Sequence, residues 1–270
     1  MQNSQYEEQY KKQVIDFFDS RTTYDNDYTI HRALPLLKLV TLQKGQKVLD
    51  MATGTGIIAI AAAQIVGSEG KVIGVDFSSG MLAQAQQKII ELGLQNIELI
   101  EADAEYINFD NESFDAILCS TAIVYFKDIP AALSKWYRFL KPGGMVGFSC
   151  CSEVSCGAPL MIAACAKYGI SLTNINERTG TTEKCKNLLE AAGFQDIRVK
   201  IQQLGFYRSL EQSREWNGGW FHPQENPLLE VSFEQMAELN TQYSKEVEAQ
   251  VTEQGVWYEN MTFFVTGRKL

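Results

Sequence analysis

The sequence predicts an α/β fold with a doubly wound, mostly parallel sheet and helices on both faces. Two observations carry that reading. Strand-like and helix-like segments alternate from about residue 47 to 150. A glycine-rich turn, Asp50-Met51-Ala52-Thr53-Gly54-Thr55-Gly56, stands where the first strand gives way to the first crossover helix. Alternation of this kind lays successive strands parallel, with the connecting helices covering the sheet. The chain has 270 residues, 45% of them hydrophobic, which suffices for one full core with modest appendages.

Lys47–Met51 is a short apolar run, and residues 55–66 follow as a helix. Lys71–Asp76 forms a second strand, and residues 79–92 a second helix that Gly93 caps. Ile97–Glu101 is the third strand. Asp110, Asn111 and Asp115 supply turn chemistry around the start of the fourth, Phe114–Ser120. Residues 129–140 are helical up to the stop Lys141-Pro142-Gly143-Gly144, after which 145–150 make the fifth strand. A helix over 181–192 ends at Gly193, a sixth strand covers 197–202, and Met261–Arg268 is the seventh.

Residues 203–259 are too many for a hairpin loop, so they form an inserted lid before the last strand, helical over about 233–254. Residues 1–40 lie outside the sheet as an N-terminal helical appendage. The core domain is then 41–202 together with 260–270.

A net charge of −9, a pI near 4.9 and no basic run disfavour nucleic acid and anionic membranes as partners. No apolar stretch is long enough to span a bilayer, and the polar N-terminus has no signal core, so a cytoplasmic protein is expected. Cys119, Cys150, Cys151, Cys156, Cys165 and Cys185 fit no zinc spacing and read as reduced, mostly buried thiols, with no metal expected.

The glycine turn carries the chemistry. Glycines allow a sharp turn and close approach of the backbone to a ligand, and the helix that follows presents unpaired N–H groups. Asp76 closes the second strand, where a carboxylate can accept both hydroxyls of a ribose. The string from Gly54 to Ala59 also fits a dinucleotide fingerprint. Asp50, just before the turn, suits an ammonium better than a pyrophosphate. Tyr137 and Lys141 have the Tyr-x-x-x-Lys spacing of some dehydrogenases, but Pro142 ends the helix that pairing needs.

DMATGTG resembles the first motif of class I S-adenosylmethionine-dependent methyltransferases, and VIGVDFSSGML the second. EADAEYINFDNESFDAILCSTAIVYF is similar to the third and fourth, and RFLKPGGMVGFS to the fifth, so the likeness covers about residues 45–150. It implies a Rossmann-like, seven-stranded fold with S-adenosyl-L-methionine as cofactor. Asp50, Ala52, Thr53, Gly54 and Gly56 would surround the methionine part. Asp76 would hold the ribose, with Phe77 and Met81 on the adenine and Asp103 and Ala104 at its polar edge. Ser120 would lie beside the sulfonium, with Tyr24 as a further wall.

In style these motifs resemble the ubiquinone/menaquinone and natural-product branch. That branch usually has a Glu where this chain has Cys150-Cys151-Ser152, and its N-terminal signature is only partly echoed by Tyr24-Asp25. The expected function is methylation of O, N or C on a small aromatic or apolar acceptor. A quinol-ring C-methyltransferase and a catalytically silent nucleotide-binding regulator or scaffold are the alternatives. His31, His222 and Tyr125 are candidate catalytic groups, because a phenol or carbon acid benefits from a base. Tyr28, Trp216, Trp220 and Phe221 are candidate acceptor contacts, with Gly218-Gly219 as a hinge for the lid. The sequence is compatible with a homo-oligomer.

Overall fold

A computed structural model describes residues 2–270 except Cys156, Glu215, Asn217 and Gly218. Three helices come first: α1 (Gln2–Asp19), α2 (Asp27–Ala33) and α3 (Pro35–Val40). Then follow β1 (Lys47–Met51), α4 (Ile57–Val66), β2 (Lys71–Asp76), α5 (Ser79–Glu91), β3 (Ile97–Glu101) and β4 (Phe114–Ser120). A 3-10 turn, Ile123–Tyr125, leads to α6 (Ile129–Phe139), β5 (Leu140–Cys151), α7 (Ala158–Ala166), α8 (Thr182–Ala191) and β6 (Gln195–Gln203). The remainder is β7 (Phe206–Arg208), α9 (Leu210–Ser213), a second 3-10 turn, α10 (Phe233–Glu248), β8 (Val256–Tyr258) and β9 (Met261–Arg268).

The main sheet has seven strands in the order β3-β2-β1-β4-β5-β9-β6. The pairs from β3 through β5 are parallel, and β9 runs antiparallel to both of its neighbours. The strand order reverses between β1 and β4, so the loops after those two strands diverge and leave a crevice.

Side chains alternate across the sheet, which is why it carries two cores. Val48 faces α3 and α4 with Leu36, Val40, Ile58 and Ala62; Leu49 faces the other way, toward Trp136, Phe139 and Phe148. A Cβ on Gly147 would stand 2.8 Å from Val40, so the glycine lets α3 lie close on the sheet.

Two departures from the expected boundaries have physical causes. The fifth strand begins at Leu140, directly after α6, because Leu140 already pairs with Phe114 before the register shifts. Lys141-Pro142-Gly143-Gly144 is therefore a distortion inside β5, with Gly143 at φ +80° and Lys141 bonded to Asp115. The segment expected as a lid, 203–259, also packs beyond its own bounds and builds a cap together with α7. A third core joins Ala158, Ala164 and Cys165 of α7 to Trp216, Trp220 and to Leu239, Tyr243 and Val247 of α10. α7 is apolar along most of its length and packs on α10. Among the described residues no helix is long and apolar enough to cross a membrane.

Candidate active site

The crevice at the reversal of strand order holds the glycine turn. Ala52 sits at φ +54°, a left-handed conformation that is uncommon for a residue with a Cβ, and Gly54 and Gly56 are left-handed as well. Gly56 opens α4, and a Cβ there would come 3.2 Å from Ala85 of α5. Its role is to let helix and turn close up, and it does not line the cavity.

Asp50 is fully buried and accepts the Thr53 hydroxyl at 2.6 Å. Burial pushes its carboxyl up to about 7, against the pull of the Thr53 bond. Asp76, at the end of β2, accepts the Gly54 amide at 2.7 Å and the Ser78 amide at 2.9 Å. Burial raises this carboxyl too, and the backbone amides pull it back. The two acids thus brace the turn from below and from the side.

These residues border an open cavity whose space, counted out to the solvent at its mouth, is about 750 Å³. Tyr24, Ala52, Gly54, Asp76, Phe77 and Met81 line it, as do Asp103, Ala104, Ser120 and Tyr125. A second space of about 380 Å³, sharing Tyr24, Ala52, Gly54 and Ser120, reaches down to Asp50 and Thr53. Of the residues expected to hold the methyl donor, all but Gly56 line one or both of these spaces.

The outer wall is α1, which sequence reasoning did not assign to the site. Tyr10, Lys11, Val14 and Phe18 all face the cavity. Asp19 at the end of α1 takes the Ser78 hydroxyl and the Gly80 amide, and Lys11 pairs with Asp103 at 2.6 Å. The Phe18 ring meets Tyr125 edge-on at 5.8 Å and Tyr24 at 6.2 Å. A detectable signal was present: Tyr6, Tyr10, Val14 and Phe17/Phe18 repeat at helical spacing in an otherwise polar segment.

Several candidates lie elsewhere. His31 is exposed on α2, its ring nitrogen on the Asp27 carbonyl. His222 is buried, its carbonyl taking the Tyr6 hydroxyl at 2.7 Å; burial and the nearby Arg178 charge lower its pKa. Tyr28 bonds Asn260 and Arg32 away from the cavity wall. Trp216 and Trp220 are buried in the cap core, and Phe221 meets Phe17 at a tilt, with ring centres 5.0 Å apart. The cap therefore reaches the site through α1. The expected hinge at Gly218 lies outside the described residues.

A buried acid below a glycine turn, a second acid at the next strand end and a third at Asp103 border the crevice where the strand order reverses. Residues 7–207 match the model of the ubiE/COQ5 methyltransferase family, well over half the chain. The chain belongs to the ubiE/COQ5 methyltransferase family. S-adenosyl-L-methionine is its methyl donor.

The chain is 35% identical over 144 residues to aklanonic acid methyltransferase DauC of Streptomyces sp. (strain C5), covering 52% of this chain and 66% of that protein. It is 30% identical over 190 residues to the demethylmenaquinone methyltransferase of Geobacillus stearothermophilus, covering 63% and 80%. The chain thus spans just under two thirds of the first relative and more of the second. A SAM-dependent methyltransferase from Aquifex aeolicus shares the fold, with a TM-score of 0.56 at 18% identity over 93% of this chain and 98% of that one.

Proposed function

We propose that this ubiE/COQ5 family member methylates a small, apolar, aromatic acceptor at an atom that arrives already ionised, a carboxylate first of all. One observation carries the reading: the cavity is walled by aromatic rings and, among the described residues, by no imidazole. Burial raises the Tyr10 and Tyr24 hydroxyls above the ordinary phenol range, so neither acts as a base near neutrality. Asp76 is engaged by backbone amides, Asp103 and Glu105 by Lys11. An ionised oxygen needs no base, because in-line displacement at the sulfonium methyl needs positioning above all. The rings of Phe18, Tyr24 and Tyr125 suit both a flat acceptor and the cationic sulfonium. The similarity to an aklanonic acid methyltransferase supports an acidic acceptor.

Quinol-ring C-methylation is the second reading, favoured by the similarity to a demethylmenaquinone methyltransferase. A hydroxynaphthoic acid carries a carboxyl, a phenol and activated ring carbons, so the product of its methylation separates the two. The expected product is an alkali-labile methyl ester, formed at saturating methyl donor at a rate nearly independent of pH from 6 to 9. An alkali-stable C-methyl product would establish the ring chemistry instead. A rate rising with pH through one titration below the ordinary imidazole range, lost in His222→Asn, would restore a histidine base.

Asp50 adds a pH prediction. An ammonium set against this carboxyl favours its ionised form, so methyl-donor binding below pH 7 should expel a proton. Affinity should weaken by up to about tenfold per pH unit below 7, and Asp50→Asn should abolish the slope. For the protein alone the sign is opposite. Asp50 binds its proton more tightly folded than unfolded, so its contribution to stability is present at low pH and is lost as pH rises toward 7. Calorimetry in two buffers of different ionisation enthalpy measures the released proton. Equal heats in both buffers at pH 6 would exclude the linkage.

A further inference from the structure

Lys11 of α1 faces three carboxylates. Its Nζ stands 2.6 Å from Asp103 and 3.3 Å from each of Glu7 and Glu105, and the side chain is 15% exposed. The same ammonium lies 4.3 Å from the centre of the Tyr106 ring. Burial lowers its pKa, but the Asp103 hydrogen bond and the Asp103 and Glu105 charges outweigh burial, so it stays protonated. Asp103 is held from the other side by its own turn, where Oδ1 accepts the Glu105 amide at 2.9 Å. One oxygen of Asp103 is thus oriented by its own loop and the other by a helix 92 residues away in sequence.

We propose that Lys11 is a positioning residue for the methyl donor's adenine: it orients the Asp103 carboxylate that accepts the adenine amino group, and so makes the docking of α1 part of nucleobase recognition. The inference rests on Asp103 facing the adenine. A carboxylate has about four lone-pair sites, so the Lys11 and Glu105 bonds leave room for an adenine N–H. Lys11 cannot follow Asp103 independently of α1, because Glu7 on the preceding turn also bonds Lys127 and Tyr106, and Asp19 bonds the start of α5. When α1 docks, the same helix brings Tyr10, Val14 and Phe18 to the cavity wall. A nucleobase with a carbonyl in place of the amine would set lone pairs against a fixed carboxylate and be rejected.

The measurement is the ratio of the dissociation constants of S-inosylhomocysteine and S-adenosylhomocysteine, by calorimetry on the full chain. In the parent the ratio should be roughly tenfold or more. Lys11→Met should remove most of that preference, and Lys11→Arg, which keeps a cation in reach, should restore it. If Lys11 only held α1 in place, Lys11→Met would weaken both ligands alike and leave the ratio at its parental value, and that result overturns the proposal. Asp103→Asn separates this proposal from the assignment beneath it. A parental ratio in Asp103→Asn means that Asp103 does not read the nucleobase, and both fall. A collapsed ratio in Asp103→Asn with a parental one in Lys11→Met removes only the role of Lys11.

Discussion

Asp76→Ala is expected to weaken S-adenosylhomocysteine binding by about 2 kcal/mol or more, the scale of losing hydrogen bonds to a charged acceptor. The carboxylate closes β2 on the cavity wall, where a ribose would present its paired hydroxyls. The structure adds a second consequence that an open strand end would not have. Asp76 already accepts the Gly54 and Ser78 amides, so truncation leaves two backbone donors unpaired at the glycine turn and at the start of α5. The melting temperature should fall as well. Asp76→Asn keeps one acceptor oxygen and should retain more stability than Asp76→Ala while still losing ribose affinity. Calorimetry giving parental affinity for Asp76→Asn would show that this carboxylate braces the turn and does nothing for the ligand.

The strands and their acids were legible for a common reason. In a sheet covered on both faces the strands read as apolar runs, so a carboxylate ending such a run stands out, as Asp50 and Asp76 do, whereas Asp103 follows the mixed edge strand β3. Ala52 stands within the glycine-rich turn, and its positive φ shows that the position keeps a glycine-like conformation despite the Cβ. What stayed hidden depends on long-range contact. Lys11, Glu7 and Asp19 sit in a polar helix whose charges read as a solvated face, and nothing local says that three of them tie it over a cavity. The cap hid for a similar reason: α7 and α10 share one core although a helix and a strand of the main sheet lie between them in sequence. The aromatic cluster at 216–221 pointed to a large apolar contact, but a segment that must build its own core uses such residues there first.

Trp220 puts that last point to a measurement. It is 7% exposed within the cap core, and its carbonyl takes the Asn226 amide at 2.8 Å. Removing so large a side chain should destabilise by about 3–5 kcal/mol, since the surrounding helices collapse only in part. Its Nε1 is buried without a hydrogen-bond partner among the described residues, so Trp220→Phe discards that donor along with some volume and should cost much less. The cap meets α1 through Phe221 on Phe17 and the Tyr6 bond to the His222 carbonyl, one layer away from the cavity. Trp220→Ala should therefore lower stability to urea sharply, with a smaller change in S-adenosylhomocysteine affinity at temperatures where the cap remains folded. An acceptor-selecting tryptophan would behave in the opposite way, raising the acceptor KM with the unfolding midpoint unchanged. That outcome would return Trp220 to the acceptor site and make the cap, in place of α1, the wall the acceptor meets.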